Sequence, residues 1–176
     1  METTEVPRFE DSVRGWLAGR VPEGLYDGPI DVTIDREEIT VVGPIHEPSL
    51  GGEVSEEARS AAVTGRVREF RERTREARMA VAREAEHRFG RKVAWGVECG
   101  QRRQLFTTLS VPVMTRLRQS ERQILDTLVG SGVARSRSEA LAWCVRLVGK
   151  NAETWLRDLR SAVQDVERVR ETGPEV

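Results

Sequence analysis

The sequence predicts an α+β protein in which a module of strands and one long helix precedes a helical C-terminal part. Three patterns predict this class. Apolar and polar residues alternate in residues 30–42 and again in residues 92–111, as they do in strands that bury one face. Residues 55–90 contain no proline and place apolar side chains at helical spacing, and residues 120–169 repeat that spacing in shorter segments.

A short helix is predicted near the start of the chain. Val13, Trp16 and Leu17 fall on one helical face, so the helix is expected over residues 11–18, with Gly19 closing it. Its apolar side needs a surface to cover.

A β-hairpin is predicted to supply that surface. Residues 30–34 alternate in strand fashion, residues 35–38 are polar, and residues 39–42 are again strand-like. Residues 46–53 contain proline and a glycine pair, which predicts an irregular connection.

One long helix is predicted between Ser55, as N-cap, and Gly90, as the residue after its end. Its apolar side chains form a narrow stripe, suited to packing on a small sheet: Ala62, Val67, Phe70, Ala77, Val81 and Ala85.

A second hairpin is predicted after this helix. Residues 92–99 form its first strand, residues 100–103 the turn and residues 104–111 the returning strand. The first strand places these side chains on one face: Val93, Trp95, Val97 and Cys99. Residues 1–110 are therefore expected to form one α+β module.

Composition excludes several classes of protein. No stretch approaches the roughly 18 apolar residues of a membrane span, and residues 1–10 are acidic where a secretory signal is basic and then apolar. We expect a cytoplasmic protein without a membrane partner. Charge is uneven: residues 111–150 carry a net +4, whereas residues 1–110 carry −3 and residues 151–176 carry −2. The basic segment favours nucleic acid as a partner.

No catalytic or metal site is predicted. Cys99 and Cys144 are too far apart in sequence for a ligand motif, and His46 and His87 add no zinc-type spacing. No serine triad, phosphate loop or carboxylate pair stands out. We expect a protein that is not an enzyme and that holds no cofactor.

Residues 111–150 carry two helix-start signals. Residues 120–123 and 136–139 each have serine three positions before Gln or Glu, the pattern of a capping box. Residues 130–132 contain two glycines and are expected to end the first helix. Residues 113–117 are strand-like. A strand and two short helices bury too little surface to fold alone, so association with a second chain is expected.

This segment resembles the ribbon-helix-helix family of bacterial regulators, the CopG, MetJ and Arc type. The resemblance covers about residues 113–148 and is carried by Leu125–Val129, Gly132 and the Ser-Arg-Ser-Glu start at residues 136–139. It implies an intertwined homodimer whose two strands form an antiparallel ribbon in the major groove of double-stranded DNA.

The resemblance also implies roles for individual residues. Met114 and Arg116 would contact bases, since a guanidinium can bind guanine bidentately. Phosphate contacts would come from Arg118, Arg135, Ser136 and Arg137, the last two through the start of the second helix. The shared dimer core would comprise Val113, Leu117, Leu125, Leu128, Leu141, Cys144, Val145 and Val148.

The chain departs from the family pattern at three positions. Arg118 stands where proline is common, Thr115 points inward where an apolar residue is usual, and Pro112 interrupts the start of the strand. An alternative register begins the first helix at Pro112 and makes residues 106–111 the ribbon, which would remove Met114 and Arg116 from their roles.

The expected function is that of a homodimeric, sequence-specific transcriptional regulator. Residues 111–150 would bind DNA, and residues 1–110 would serve as a sensing, oligomerising or partner-binding module, with a protein or small molecule as a possible effector. Trp16, Trp95 and Phe106 are candidates for binding a small molecule. Residues 151–176 are expected to form an amphipathic helix and a tail. The alternative is an antitoxin-like interaction protein that uses the ribbon-helix-helix unit only to dimerise.

Overall fold

The protein has an α+β fold, as the sequence predicts. The computed structural model describes residues 9–172, and the chain divides into two compact units between Pro112 and Val113. Residues 1–8, which supply most of the acidic start used in the sequence analysis, lie outside the described residues. Within residues 9–172 no helix is long and apolar enough to cross a membrane.

The first unit begins with helix α1, Phe9–Arg20. Val13 and Leu17 are buried, as the helical spacing predicts. The predicted end at Gly19 is wrong, because α1 continues to Arg20. The Arg20 guanidinium donates to the carboxylate of Glu84 (Nε to Oε2, 2.7 Å), an interaction between residues 64 positions apart.

The predicted first hairpin is confirmed. Strands β1, Asp31–Ile34, and β2, Glu38–Pro44, pair antiparallel, with Val32 opposite Val41. The Asp35 carboxylate closes the turn by accepting from the amides of Glu37 and Glu38.

The predicted single helix is instead two helices, α2 over Glu56–Arg73 and α3 over Arg75–Phe89. Both predicted ends are confirmed: the Ser55 hydroxyl accepts from the Ala58 amide, and Gly90 takes a left-handed conformation with φ 67°.

The break at Thr74 has an identifiable cause. The Thr74 hydroxyl donates to the Phe70 carbonyl at 2.7 Å and accepts from Arg78 Nε at 2.9 Å. Arg78 also donates to the Arg71 carbonyl, and its side chain is buried. The Thr74 amide also donates to the Phe70 carbonyl at 3.0 Å, so the hydroxyl bond is an additional one at that carbonyl. A threonine hydroxyl bonded four residues back commonly bends a helix. Sequence pattern shows no proline or glycine there, so the break was not predicted.

The second hairpin is shorter than predicted. Strands β3, Lys92–Cys99, and β4, Arg102–Leu105, pair antiparallel, and β3 pairs parallel to β2 to give the sheet order β1-β2-β3-β4. The predicted extension to residue 111 is wrong, because the chain turns inward after Leu105. The Phe106 ring lies 6.1 Å from that of Phe70 and 4.7 Å from the Arg78 guanidinium.

The core of this unit joins α1, the sheet and the α2–α3 crossover. Its largest fully buried side chains include Phe70, Leu17, Ile39 and Val97. Tyr26 stacks on Phe70 and donates its hydroxyl to the Gly96 carbonyl.

The second unit is helical. It contains α4, Gln119–Gly130, α5, Arg137–Asn151, and α6, Glu153–Thr172. The three helices lie where the sequence predicts helices, and a single residue, Ala152, separates α5 from α6.

Candidate nucleic-acid interface

The segment predicted to contact bases is accessible. Residues 113–117 lie outside helices and strands, with Val113 86% and Met114 99% exposed. Arg116 is exposed and has no ion pair within the described residues. A ribbon requires a strand from each of two copies, so the pairing of residues 113–117 stays a prediction.

The alternative register is wrong. Helix α4 begins at Gln119 rather than at Pro112.

The start of α4 differs in detail from the sequence prediction. Ser120 was predicted as N-cap, but it lies inside the helix, and Arg118 occupies the cap position. The Arg118 amide donates to Glu121 Oε2 at 2.6 Å, and Arg122 Nη1 donates to the Leu117 carbonyl at 2.6 Å. The cap is displaced because Glu121 satisfies the Arg118 amide three positions before it, which starts the helix two residues earlier than a cap at Ser120 would. These bonds fix the point at which residues 113–117 enter the helix.

The connection between α4 and α5 follows the glycine signal. Gly132 adopts φ 80°, a conformation that glycine reaches without steric cost. The Val133 amide donates to the Leu128 carbonyl at 3.0 Å, so the chain closes on the last turn of α4. This tight turn brings the start of α5 beside α4.

The predicted cap of α5 is confirmed. The Ser136 hydroxyl accepts from the Glu139 amide at 3.2 Å. Glu139 Oε2 accepts from the Arg135 amide at 2.8 Å, and this bond together with the Arg135 guanidinium holds the pKa of the Glu139 carboxyl below its ordinary value. The amides of Arg137 and Ser138 lie in the first helical turn, which offers them no acceptor.

Arg137 is engaged in an ion pair that the sequence analysis missed. Its Nε and Nη2 donate to the two carboxylate oxygens of Asp126 at 2.7 Å each, across the turn between α4 and α5. The pair holds the pKa of the Asp126 carboxyl below its ordinary value. Both side chains are more than half exposed, so a phosphate can reach Arg137 but competes there with a carboxylate already in place.

The remaining predicted phosphate contacts are exposed. The Arg135 side chain is 93% exposed and lies 3.3 Å from Glu139, and Arg118 is exposed at the end of residues 113–117. Arg135 and Arg137 each face an acid, so the positive charge at the start of α5 is largely compensated within the chain.

The predicted dimer core divides into two groups. Leu125 is buried with Ala134 and Ala140, and four other predicted core residues pack partly buried around them: Leu117, Leu128, Leu141 and Cys144. The second group is exposed in the single chain, at 86% for Val113, 65% for Val145 and 54% for Val148. The second unit therefore leaves three residues of its predicted core exposed in the single chain.

The aromatic residues considered for an effector site belong mostly to the core of the first unit. Trp95 is buried, Trp16 packs edge-on against Phe89, and Phe106 contacts Phe70. A groove of about 470 Å³ does lie beside β1 in this unit, and its lining includes Arg14, Val21, Tyr26 and Ile30. None of the three predicted aromatic residues lines it.

The described residues contain no group of three His, Cys, Asp or Glu side chains that could hold a metal ion. His46 pairs instead with Asp27, Nδ1 to Oδ2 at 2.6 Å.

Both parts of the chain match family models of known proteins. Residues 11–105 match the family model described as the N-terminal domain of Rv1265-like proteins, and residues 118–170 match the Mb1296 C-terminal domain. The chain belongs to the Rv1265-like family. The two matched ranges lie on either side of the division at Pro112, and residues 113–117 fall between them.

Members of the Rv1265-like family in mycobacteria are close in sequence. The chain is 56% identical over 161 residues to the proteins named "Uncharacterized protein Mb1296" of Mycobacterium bovis and "Uncharacterized protein Rv1265" of Mycobacterium tuberculosis. The match covers 92% of this chain and 70% of each relative. No solved structure matches the chain.

Proposed function

We propose that the protein is a homodimeric, sequence-specific DNA-binding regulator whose second unit is a ribbon-helix-helix module. The exposed predicted core of that unit carries the proposal. Val113, Val145 and Val148 belong to a module whose described residues include three buried apolar side chains, too few to stabilise it alone. A second copy that covers these side chains completes the core.

The order of elements supports the same module. An exposed, irregular segment at residues 113–117 leads into α4, a tight glycine turn and the capped helix α5. In a dimer the two exposed segments pair as an antiparallel ribbon, with Met114 and Arg116 available to base edges.

Phosphate binding is proposed at the start of α5. The amides of Arg137 and Ser138, the helix dipole and the exposed Arg135 side chain favour an anion there. Arg118 would add a phosphate contact from the start of α4. Because Asp126 and Glu139 compensate nearby arginines, we expect modest affinity per contact and a strong dependence on salt.

The first unit is proposed to bind an effector, with the groove beside β1 as its site. That groove combines apolar residues such as Val21 and Ile30 with charged residues such as Arg14, the lining that a small molecule needs. The antitoxin alternative has less support, because the segment after α5 is an ordered helix over Glu153–Thr172 rather than an irregular toxin-binding tail.

The test is a mapping of bound genomic sites, followed by fluorescence anisotropy on the recovered sequence. Binding should weaken by orders of magnitude between 50 and 200 mM salt if several phosphates are contacted. Arg116→Ala should cost about 1 to 3 kcal/mol and relax preference at one base position per half-site.

Arg146→Ala is the matched control, since Arg146 is an exposed arginine on α5 outside the predicted contacts. Equal weakening of all DNA sequences by Arg116→Ala would refute base readout by Arg116. Absence of any recovered sequence preference in the unmodified protein would refute the function itself.

A further inference from the structure

Helix α6 presents an apolar face that the described residues of its own chain leave exposed. Trp155 is 61% exposed, Leu159 42%, Val166 58% and Val169 69%. A 20-residue helix spans about 30 Å, and such a helix is marginal in water without a partner for its apolar stripe.

The spacing of this face is that of a coiled coil. Trp155, Leu159, Ala162, Val166 and Val169 alternate steps of four and three residues. This is the 3.5-residue repeat of the a and d positions, which keeps one seam facing a partner helix. Leu156 and Val163 widen the stripe at the e positions.

We infer that α6 pairs with α6 of a second copy of this chain as a parallel two-stranded coiled coil. The charged residues beside the seam favour a second copy of the chain as the partner and a parallel direction of the two helices. Asp165, at a g position, lies 2.9 Å from Arg168 of its own helix. In a parallel pair it also faces Arg170 of the other copy at the following e position, an attractive contact.

An antiparallel pair brings like charges together. The apolar seam from residue 155 to residue 169 is centred on Ala162, so full overlap of two antiparallel helices places Asp158 of one beside Asp165 of the other. Both are acids, and like charges at such positions disfavour pairing. The parallel arrangement has no such conflict, because Asp158 then faces Val163.

A membrane surface is the less suitable occupant. Residues 153–172 contain four arginines and five acids, for a net charge of −1. Helices that lie on anionic membranes carry a basic polar face instead.

Cysteine cross-linking tests the direction. In a Cys144→Ser background, Val169→Cys should form an intermolecular disulfide on mild oxidation, because identical d positions meet in a parallel pair. Gln164→Cys is the control, since position 164 lies on the outer face of the helix. Equal cross-linking by both variants, or none by Val169→Cys, overturns the inference.

Charge exchange gives an independent readout. Asp165→Lys and Arg170→Glu should each weaken the dimer roughly two- to tenfold, since each dimer contains the pair twice, and the double variant should restore it. Asp158→Lys should change the dissociation constant by less than Asp165→Lys. Tighter dimers from both Asp158→Lys and Asp165→Lys would instead establish an antiparallel pair.

Flotation with lipid vesicles tests whether a membrane surface, rather than a second copy, covers this face. If the full chain floats with vesicles of phosphatidylcholine and phosphatidylglycerol and Val169→Cys does not cross-link in solution, the face binds lipid and the inference is wrong. All three measurements are made without DNA, so their outcome is separate from that of the proposed function.

Discussion

Substitution of Val145 distinguishes two possibilities for the helical module: that it is complete in one chain, or that it shares its core with a second copy. Val145 is 65% exposed in the single chain. Val145→Ser should therefore change the stability of an isolated subunit by no more than about 0.5 kcal/mol, as at other surface positions.

The effect on a dimer should be much larger. Full burial of a valine side chain stabilises by about 1.5 to 3 kcal/mol, and the exposed 65% accounts for roughly 1 to 2 kcal/mol of this in each subunit. Two subunits contribute roughly 2 to 4 kcal/mol, which corresponds to an increase in the dimer dissociation constant of roughly 30- to 700-fold.

Fluorescence-detected sedimentation from nanomolar to micromolar protein measures that constant. The experiment is repeated in a chain that also carries Val166→Asp, so that pairing of α6 does not hold the dimer together. Val133→Ser is the matched control, because Val133 is 48% exposed and lies in the turn outside the predicted dimer core. If Val145→Ser and Val133→Ser shift the constant equally, the shared-core reasoning is refuted.

Two further predictions concern stability within each unit. Thr74→Ala should lower the free energy of unfolding by about 1 to 3 kcal/mol in urea titration, because it leaves the buried Arg78 Nε without its acceptor. The control is Thr64→Ala, which removes a similar but exposed hydroxyl and should lower that free energy by less than about 0.5 kcal/mol. Equal costs would contradict the role given to the break at Thr74. The Asp126 carboxyl has its pKa lowered in the folded state, so the stability from its pair with Arg137 is present above the ordinary aspartate pKa of about 4 and is lost as pH falls through the lower folded value. In an acid titration of the full chain followed by circular dichroism, Asp126→Asn should lose less stability over this pH range than the unmodified protein. Identical curves for the variant and the unmodified protein would contradict a stabilising role of the pair.

The local signals of the sequence predicted where most elements begin and end. Ser55 and Ser136 act as caps because a short hydroxyl side chain reaches an amide three residues on, and no distant residue is needed. Gly90 and Gly132 stop their helices because glycine takes positive φ without a steric cost.

At the start of α4, two residues compete for the cap position, and sequence spacing alone does not decide between them. Ser120 has the residue type of a cap, but the bond from the Arg118 amide to Glu121 decides the start of α4. Arg118 and Glu121 are only three positions apart, yet arginine is not a residue type that cap positions usually favour.

The candidate DNA-binding segment could be located from sequence, but its electrostatics could not. The exposure of Met114 and Arg116 fits their predicted place before α4. The pairing of Arg137 with Asp126 depends on how the turn at Gly132 brings α5 beside α4, and spacing along the chain does not give that geometry.

By itself, the sequence determined the α+β class, the first hairpin, the ends of the long helical region and the three C-terminal helices. Each of these depends on hydrogen bonds and apolar periodicity within a few residues along the chain. Only the tertiary structure decided the end of β4 before Phe106 and the parallel pairing of β2 with β3. These features depend on side chains far apart in sequence, such as Phe70 and Phe106, which meet only when the sheet and helices pack.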